Sequence, residues 1–182
     1  MRLFIAVELS DEILSVLSQA QASLPREGLV FVKKENQHLT LKFLGEVGED
    51  RLPTLKAALD GCRRAPFQVT VKGVGVFPSE KFVRVVWAGV HSTELAALAA
   101  CIDNALAPLG FPREERPFSG HITLARVKAK TDVSRFLARF RDFDFGSCRI
   151  DRFVLKRSTL TPRGPIYDNM HVVVLESSPN RV

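Results

Sequence analysis

The chain has 182 residues, of which 46% are hydrophobic and 25% charged, an ordinary balance for a soluble globular protein. No uncharged apolar run reaches the roughly 18 residues of a membrane-spanning helix, and the early charges exclude a secretory signal. Three cysteines without a C-x-x-C pair argue against a disulfide framework, and the formal charge of +6 is compatible with an anionic partner. We therefore expect a cytoplasmic protein with a single domain over residues 1–182.

Apolar periodicity and helix caps predict an alternation of strands and helices along the chain. Predicted strands open the chain at 2–9 and recur at 121–127, and predicted helices cover 11–24, 50–62, 93–109 and 132–140. Six further strands are expected to pair as hairpins. These pairs are 29–34 with 38–47, 67–77 with 82–90, and 147–161 with 166–177.

The predicted elements fall into two similar halves, each with two helices and with one strand that begins H-x-T-x. Hairpins mixed with helices are typical of α+β domains, in which helices pack against antiparallel sheets. We therefore expect an α+β fold. It would be bilobed and pseudo-duplicated, with two antiparallel sheets, helices on the outer faces and an active site in the cleft between the lobes.

The two H-x-T-x strands, HLTLKFLG and HITLARV, place the same polar pair on segments that are otherwise apolar. Because side chains alternate between the two faces of a strand, His38 shares a face with Thr40, and His121 shares a face with Thr123. One copy alone would be explained by a solvated histidine beside a good strand-forming threonine. Two copies favour a cleft on which two imidazoles and two hydroxyls converge.

Two histidines without a carboxylate partner suit acid–base catalysis, because imidazole titrates near neutral pH and can either donate or accept a proton. An in-line displacement at phosphorus needs both functions at once. One group activates the attacking oxygen, and the other protonates the leaving oxygen. The threonine hydroxyls would donate hydrogen bonds to the non-bridging oxygens as negative charge develops there.

A metal site is the alternative use of such histidines. A two-metal phosphatase needs several carboxylates beside them, and only Asp132 comes close after the second motif. Zinc would need two more ligands, and the remaining histidines, His91 and His171, lack ligand spacing. We expect no metal and no cofactor, and we interpret His171 as structural. The Ser158-Thr159 pair has no histidine beside it, which gives no support for a nucleophilic serine.

The stretches HLTLKFLGEV and FSGHITLARV resemble the two signatures of the two-histidine phosphoesterases. Within that superfamily the chain is similar to the RNA 2′,3′-cyclic phosphodiesterases, also called 2′-5′ RNA ligases. RLFIAVEL, GVGVFPSEKFVRVVWAGV and LKRSTLTPRGPIYDNM extend the resemblance over nearly the whole chain. It implies a metal-free hydrolysis that leaves a 2′-phosphomonoester. It also implies that His38 is the proton donor and His121 the acceptor, with Thr40 and Thr123 on the phosphate. Gly120 stands where the family often has proline, and we expect it to loosen the start of the second strand.

Three further residues are candidates for substrate binding. The resemblance implies that Arg126 contacts the phosphate, although strict alternation turns it away from His121 unless the strand bulges. Strict alternation places Lys42 on the same face as His38, so Lys42 is a candidate for substrate binding. Tyr167 is a candidate for stacking on a base, as aromatic residues do in the recognition of single-stranded RNA.

Three functions remain open at this point. The first is hydrolysis of the 2′,3′-cyclic phosphate at an RNA or nucleotide end, and the second is ligation of that end to a 5′-hydroxyl through the same site. The third is a non-catalytic RNA-binding domain that uses the basic surface. The intact histidine and threonine pairs favour an enzyme, because binding alone needs no titrating groups. The sequence implies no protein partner and does not choose between a tRNA fragment, an oligonucleotide and a small nucleotide.

Overall fold

The computed structural model describes residues 1–176, which form nine strands and four α-helices. None of these helices is long and apolar enough to cross a membrane. The helices are α1 (Asp11–Gln21), α2 (Leu52–Asp60), α3 (Thr93–Leu106) and α4 (Ser134–Phe140). The strands are β1 (Arg2–Val7), β2 (Leu29–Phe31), β3 (Leu39–Glu46), β4 (Phe67–Ser79), β5 (Phe82–His91), β6 (His121–Val127), β7 (Asp144–Ile150), β8 (Arg152–Thr161) and β9 (Gly164–Val174).

The strands join in one antiparallel sheet of order β7-β4-β5-β6-β3-β1-β8-β9, with β2 beside β6. Within residues 1–176, β6 and β3 are joined at a single residue pair, Leu39 with Ile122. This narrow connection divides the sheet into a first lobe, β3-β1-β8-β9, and a second lobe, β7-β4-β5-β6. The predicted α+β fold with two lobes is confirmed, and its two sheets are the halves of one continuous sheet.

The helices α1, α2 and α3 cover the face of the sheet that carries Leu39 and Ile122, which we call the back face. Leu95 of α3 and Leu39 both approach within 3.4 Å of the place where Gly120 would carry a Cβ atom. Ser10 and Ser92 cap α1 and α3 by accepting hydrogen bonds from backbone N–H groups in the first turns, as the sequence predicts. The fourth helix, α4, packs against β4 in the second lobe.

The predicted hairpin between 29–34 and 38–47 is wrong. Residues Lys34–Asn36 form a turn of 3₁₀-helix, and β2 pairs with Ala125–Val127 of β6. The turn carries the chain along the edge of β6, so that β2 and β3 follow each other on that edge. Apolar alternation identifies a strand but does not identify its partner, which is why the sequence suggested the nearer one.

The predicted strand 147–161 is two strands that meet at Asp151. β7 pairs with β4 at the edge of the second lobe, whereas β8 lies between β1 and β9 in the first lobe. The apolar pattern continues through the junction, so the sequence gives no sign of the change of lobe. The other two predicted hairpins, β4 with β5 and β8 with β9, are present.

Candidate active site

The two histidines are brought together by the pair that joins the lobes. Leu39 and Ile122 are fully buried on the back face, so the residues on either side of them in sequence lie on the opposite face, which we call the site face. Continuing the register by one residue in each direction places His38 across from Thr123. Such a register leaves the two histidine positions on a diagonal, a separation of about 7–8 Å between Cα atoms.

Both imidazole rings are held in the same way by the backbone that precedes them. Nδ1 of His38 lies 2.8 Å from the carbonyl oxygen of Asn36, and Nδ1 of His121 lies 2.8 Å from that of Ser119. A carbonyl oxygen only accepts hydrogen bonds, so Nδ1 carries the proton in each ring. Nε2 is therefore the atom of each ring that is left to exchange a proton with a substrate.

A bulge follows the threonine of the first motif. Ile5 of β1 pairs with Lys42, whereas the next residue, Ala6, pairs with Thr40, so Leu41 is an extra residue in β3. An extra residue reverses the alternation of side chains beyond it. Leu41 and Lys42 consequently both point to the back face.

The second motif has a bulge at the equivalent position. Trp87 of β5 pairs with Thr123 and Val86 pairs with Ala125, so Leu124 is the extra residue in β6. Leu124 and Ala125 are both fully buried. The two motifs therefore share the histidine, the threonine, the bulge and the reversal of parity after it.

The bulges decide which further residues reach the site face. In β6 the reversal places Arg126 on the site face, with its side chain exposed. Strict alternation would have turned Arg126 away from His121, and the bulge explains why it can instead face a phosphate. In β3 the corresponding position is Phe43, which is 65% exposed. Strict alternation assigned Phe43 to the face opposite His38, so the sequence did not identify it as a residue of the site.

Lys42 does not lie on the site face, and its selection as a substrate-binding residue was wrong. Its side chain is on the back face, where the residue is only 4% exposed. It forms an ion pair with Asp103 of α3 and donates a hydrogen bond to the carbonyl oxygen of Pro112 at 2.7 Å. Asp103 also accepts from the backbone N–H of Glu114 at 2.8 Å. Lys42 thus connects β3, the strand of the first motif, to α3 and to the loop that precedes β6, the strand of the second motif.

Each histidine lies between two aromatic rings. Phe4 stacks on His38 with a centroid distance of 4.9 Å, and Tyr167 meets the same imidazole edge-on at 5.1 Å. In the second lobe, Phe77 meets His121 edge-on at 5.0 Å. These contacts fix the ring planes in addition to the hydrogen bonds at Nδ1.

Trp87 completes the aromatic surroundings of His121, with ring centroids 6.2 Å apart. A Cβ atom on Gly75 would lie 2.2 Å from the indole ring, so only glycine lets the indole lie against β4. The sequence offers no means of separating Trp87, Phe77 and Phe4 from core residues, because most phenylalanines in such strands are simply buried.

Burial lowers the pKa of His38 to about 4, and the positive charges of Lys156 and Arg126 act in the same direction. The hydrogen bond to Asn36 and the negative charge of Glu8 oppose this change without reversing it. At neutral pH the free protein therefore holds His38 in its neutral form.

Lys156 forms a polar cluster on the site face of the first lobe. It pairs with Phe4 across β1 and β8, and its side chain is largely buried. Its ammonium group lies 2.5 Å from a carboxylate oxygen of Glu8 and 2.8 Å from the amide oxygen of Asn169. Neither the motifs nor the resemblance pointed to this cluster.

Tyr167, a candidate for base stacking, lies at the site beside His38. Burial raises the pKa of its phenol, so the hydroxyl remains protonated at neutral pH and can donate a hydrogen bond.

The other two histidines lie away from the site. His171 is on the back face, where Nε2 lies 3.1 Å from the Asp60 carboxylate of α2, and His91 contacts the carbonyl oxygen of Lys72 at 3.1 Å. Among residues 1–176 no three histidine, cysteine or carboxylate side chains are grouped as metal ligands would be.

Gly120 lets the start of β6 lie close against β5 rather than loosening it. A Cβ atom there would lie 2.4 Å from the carbonyl oxygen of Val90, so the close approach of the two backbones requires glycine. The hydrogen bond from Val90 N–H to Gly120 at 2.9 Å holds the start of β6 in place. The expected looser start of the second strand is therefore wrong.

Comparison with known families gives a match to the LigT-like phosphoesterase model over residues 4–87 and 90–167. The RNA 2′,3′-cyclic phosphodiesterase of Archaeoglobus fulgidus is 39% identical over 175 residues, which cover 94% of this chain and 99% of that protein. The two matched segments include both motif strands.

Solved structures show the same fold. The TT0787 protein of Thermus thermophilus superposes with a TM-score of 0.87 at 34% identity, covering 98% of this chain and 100% of that one. Escherichia coli LigT complexed with 3′-AMP superposes with a TM-score of 0.81 at 29% identity, covering 96% of this chain and 97% of that one.

Proposed function

The chain belongs to the LigT-like phosphoesterase family, and on that premise we propose that it hydrolyses the 2′,3′-cyclic phosphate at an RNA end to a 2′-phosphomonoester. The relatives that match most of its length are named RNA 2′,3′-cyclic phosphodiesterases. The structural observation that carries the proposal is the pair of imidazoles on one face, each with Nδ1 bound to a backbone carbonyl and Nε2 left for the substrate.

In the proposed reaction the phosphorus lies between the two rings. Nε2 of His121 accepts a proton from water as the water oxygen attacks phosphorus. Nε2 of His38 donates a proton to the 3′-oxygen as the bond from phosphorus to that oxygen breaks. A separation of about 7–8 Å between diagonal Cα positions leaves room for a phosphate between side chains that project from the same face.

The donor role requires His38 to be protonated when the substrate is bound. Its pKa of about 4 in the free protein reflects burial and nearby positive charge. A phosphate anion against Nε2 favours the imidazolium and raises that pKa, because an opposite charge stabilises the charged form. Substrate binding and protonation of His38 are therefore coupled in this proposal.

The phosphate and the base would be held by different residues. Thr40, Thr123 and the exposed Arg126 share the site face with the histidines, so they can donate hydrogen bonds to the non-bridging oxygens. Phe43 offers an exposed ring on the same face, and Tyr167 lies beside His38. We assign stacking of the terminal base to this first lobe.

Ligation to a 5′-hydroxyl remains the second candidate, because hydrolysis and ligation differ only in the attacking oxygen. The aromatic rings of Phe77 and Trp87 beside His121 would lie on the side from which that oxygen attacks. A 5′-hydroxyl RNA added to the reaction separates the two, since ligation gives a longer product with a 2′-5′ linkage.

The test is turnover of an oligonucleotide with a 2′,3′-cyclic phosphate in the presence of a chelator. The expected product is a 2′-phosphate, identified by NMR. His38→Ala and His121→Ala are each expected to lower kcat by about 10²–10⁴-fold, the usual contribution of a general acid or base. His91→Ala is the matched control, because His91 lies outside the site, and it is expected to retain activity. Full activity of either motif variant, or dependence on a metal, would contradict the proposal.

A further inference from the structure

Two of the three cysteines lie in contact on the back face. Cys62 follows the end of α2 and is 1% exposed, whereas Cys101 lies within α3 and is partly exposed. Their sulfur atoms are 2.8 Å apart, although the residues are separated by 39 positions in sequence. A disulfide bond is about 2.05 Å long, so the two helices already hold the sulfurs close to bonding distance.

The cysteine pair lies where the two lobes are connected behind the site. α2 is bound to β9 of the first lobe through the hydrogen bond between Asp60 and His171. α3 packs against both β3 and β4, which belong to different lobes. A covalent bond between the cysteines would therefore join a helix of the first lobe to a helix that spans the boundary.

We propose that Cys62 and Cys101 are a site of reversible covalent modification, at which a disulfide oxidant such as glutathione disulfide forms an intramolecular disulfide bond. Cys101 is the first to react, because it is the more exposed of the two. Its thiolate attacks the oxidant, forms a mixed disulfide and releases one glutathione thiolate. The Cys62 thiolate then attacks the Cys101 sulfur and releases the second. Two cysteine thiols lose two protons and two electrons, and one glutathione disulfide becomes two glutathiones.

The surroundings of Cys62 control the rate of this reaction. Burial raises the pKa of Cys62 to about 12, and contact with Cys101 adds to the effect. Only the thiolate is a nucleophile, so the second step is slow at neutral pH and accelerates as pH rises. Once formed, the bond is open to attack by reducing thiols at the partly exposed Cys101 sulfur, whereas the Cys62 sulfur is buried.

The bond is expected to stabilise the fold without altering the site. It would close a loop of 39 positions, which restricts the unfolded chain. For a protein of this size the expected rise in Tm is roughly 5–10 °C. The site lies on the opposite face of the sheet, so kcat/KM should stay within about twofold.

The experiment incubates the full chain with glutathione disulfide at several pH values. The expected result is a mass lower by about 2 Da, loss of two of the three titratable thiols, a peptide cross-link between Cys62 and Cys101, and a higher Tm that a reductant reverses. Cys62→Ser and Cys101→Ser should not form the cross-link, and their Tm should not rise on oxidation. Cys148→Ser is the matched control, since it removes the other buried thiol and should behave as the unaltered chain does.

Two results would overturn the proposal. One is an unchanged count of three free thiols after prolonged oxidation at alkaline pH, with Cys101 still open to alkylation. The other is an equal rise in Tm for the serine variants, which would assign the stabilisation to something other than the bond. Because the measured quantities are mass and Tm, either failure leaves the proposed phosphodiesterase activity untouched.

Discussion

In β6 the third residue after the motif threonine is Arg126, whereas in β3 the same position holds Phe43. The preceding position is Ala125 in β6 and Lys42 in β3, and both are buried on the back face. The two strands share the histidine, the threonine and the bulge, so the backbone follows the same local course in both motifs. The exchange of one cation and one aromatic ring makes the site asymmetric.

Two copies of one backbone motif can thus present different side chains to the two ends of one substrate. In the proposed function the lobe with Arg126 offers positive charge to the phosphate, and the lobe with Phe43 offers an apolar surface to a base. The electrostatics differ as well, because burial and Lys156 lower the pKa of His38. Equivalent positions therefore differ in charge and in polarity, and we expect them to differ in function. Each prediction that follows alters one side of this comparison.

The largest effect is expected for Arg126→Met. Loss of a positioned donor to the developing phosphate charge should lower kcat by about 10²–10³-fold. The measurement is single-turnover hydrolysis of a cyclic phosphate. Lys128→Met is the matched control, because Lys128 is an exposed lysine immediately after the end of β6, and it should weaken binding only slightly. Equal losses in both variants would mean that Arg126 acts only as part of a general positive surface.

Lys42→Met tests the bulge in β3. Removing one partner of a buried ion pair should lower the free energy of unfolding by about 3 kcal/mol, because Asp103 is left without its cation. Lys34→Met is the control: it breaks the more exposed pair with Asp11 and should cost less than about 1 kcal/mol.

Urea denaturation measures both Lys42→Met and its control, and the KM of folded Lys42→Met should change little. A raised KM with unchanged stability would mean that Lys42 lies on the site face, and it would contradict the bulge at Leu41.

Phe43→Ala should raise KM by roughly tenfold with a smaller change in kcat. Base stacking on an aromatic side chain contributes about 1–3 kcal/mol, and the ring is the most exposed aromatic surface on the site face. Steady-state kinetics with an oligonucleotide measures the change. Phe82→Ala removes another exposed phenylalanine at the tip of the β4–β5 hairpin and should leave KM unchanged. An unchanged KM in Phe43→Ala would argue against stacking in the first lobe.

The smallest effect is expected for Lys156→Met, which should raise the pKa of His38 from about 4. The variant removes a positive charge that disfavours the imidazolium and leaves Glu8 unpaired, and both changes favour the protonated ring. NMR titration of the imidazole measures the pKa, and Lys156→Arg should preserve it. A pKa that stays the same or falls would show that Lys156 does not contribute to the low pKa of His38.

Apolar alternation and helix caps were enough to place the four helices to within three residues at each end and to predict the strands other than the single strand expected over 147–161. The repeated motif predicted the shared face of the histidines. The bulges were harder to foresee. In β6 the consecutive apolar residues Leu124 and Ala125 indicate a bulge. In β3 the equivalent second residue is the charged Lys42, so no such apolar pair is present in the sequence. From the sequence, a lysine at this position is expected to be exposed, because its buried partner Asp103 is distant in the chain. Strand partners also had to come from the structure, because β2 and β8 pair with segments far along the chain.

A substrate with a bridging sulfur in place of the 3′-oxygen distinguishes the roles proposed for the two histidines. A thiolate leaves without protonation, because a thiol has a pKa of about 8.5, far below that of an alcohol. If His38 is the proton donor, His38→Ala should recover most of its lost activity on this substrate, while His121→Ala should stay inactive. Recovery of His121→Ala with no recovery of His38→Ala would contradict the account and would exchange the two roles.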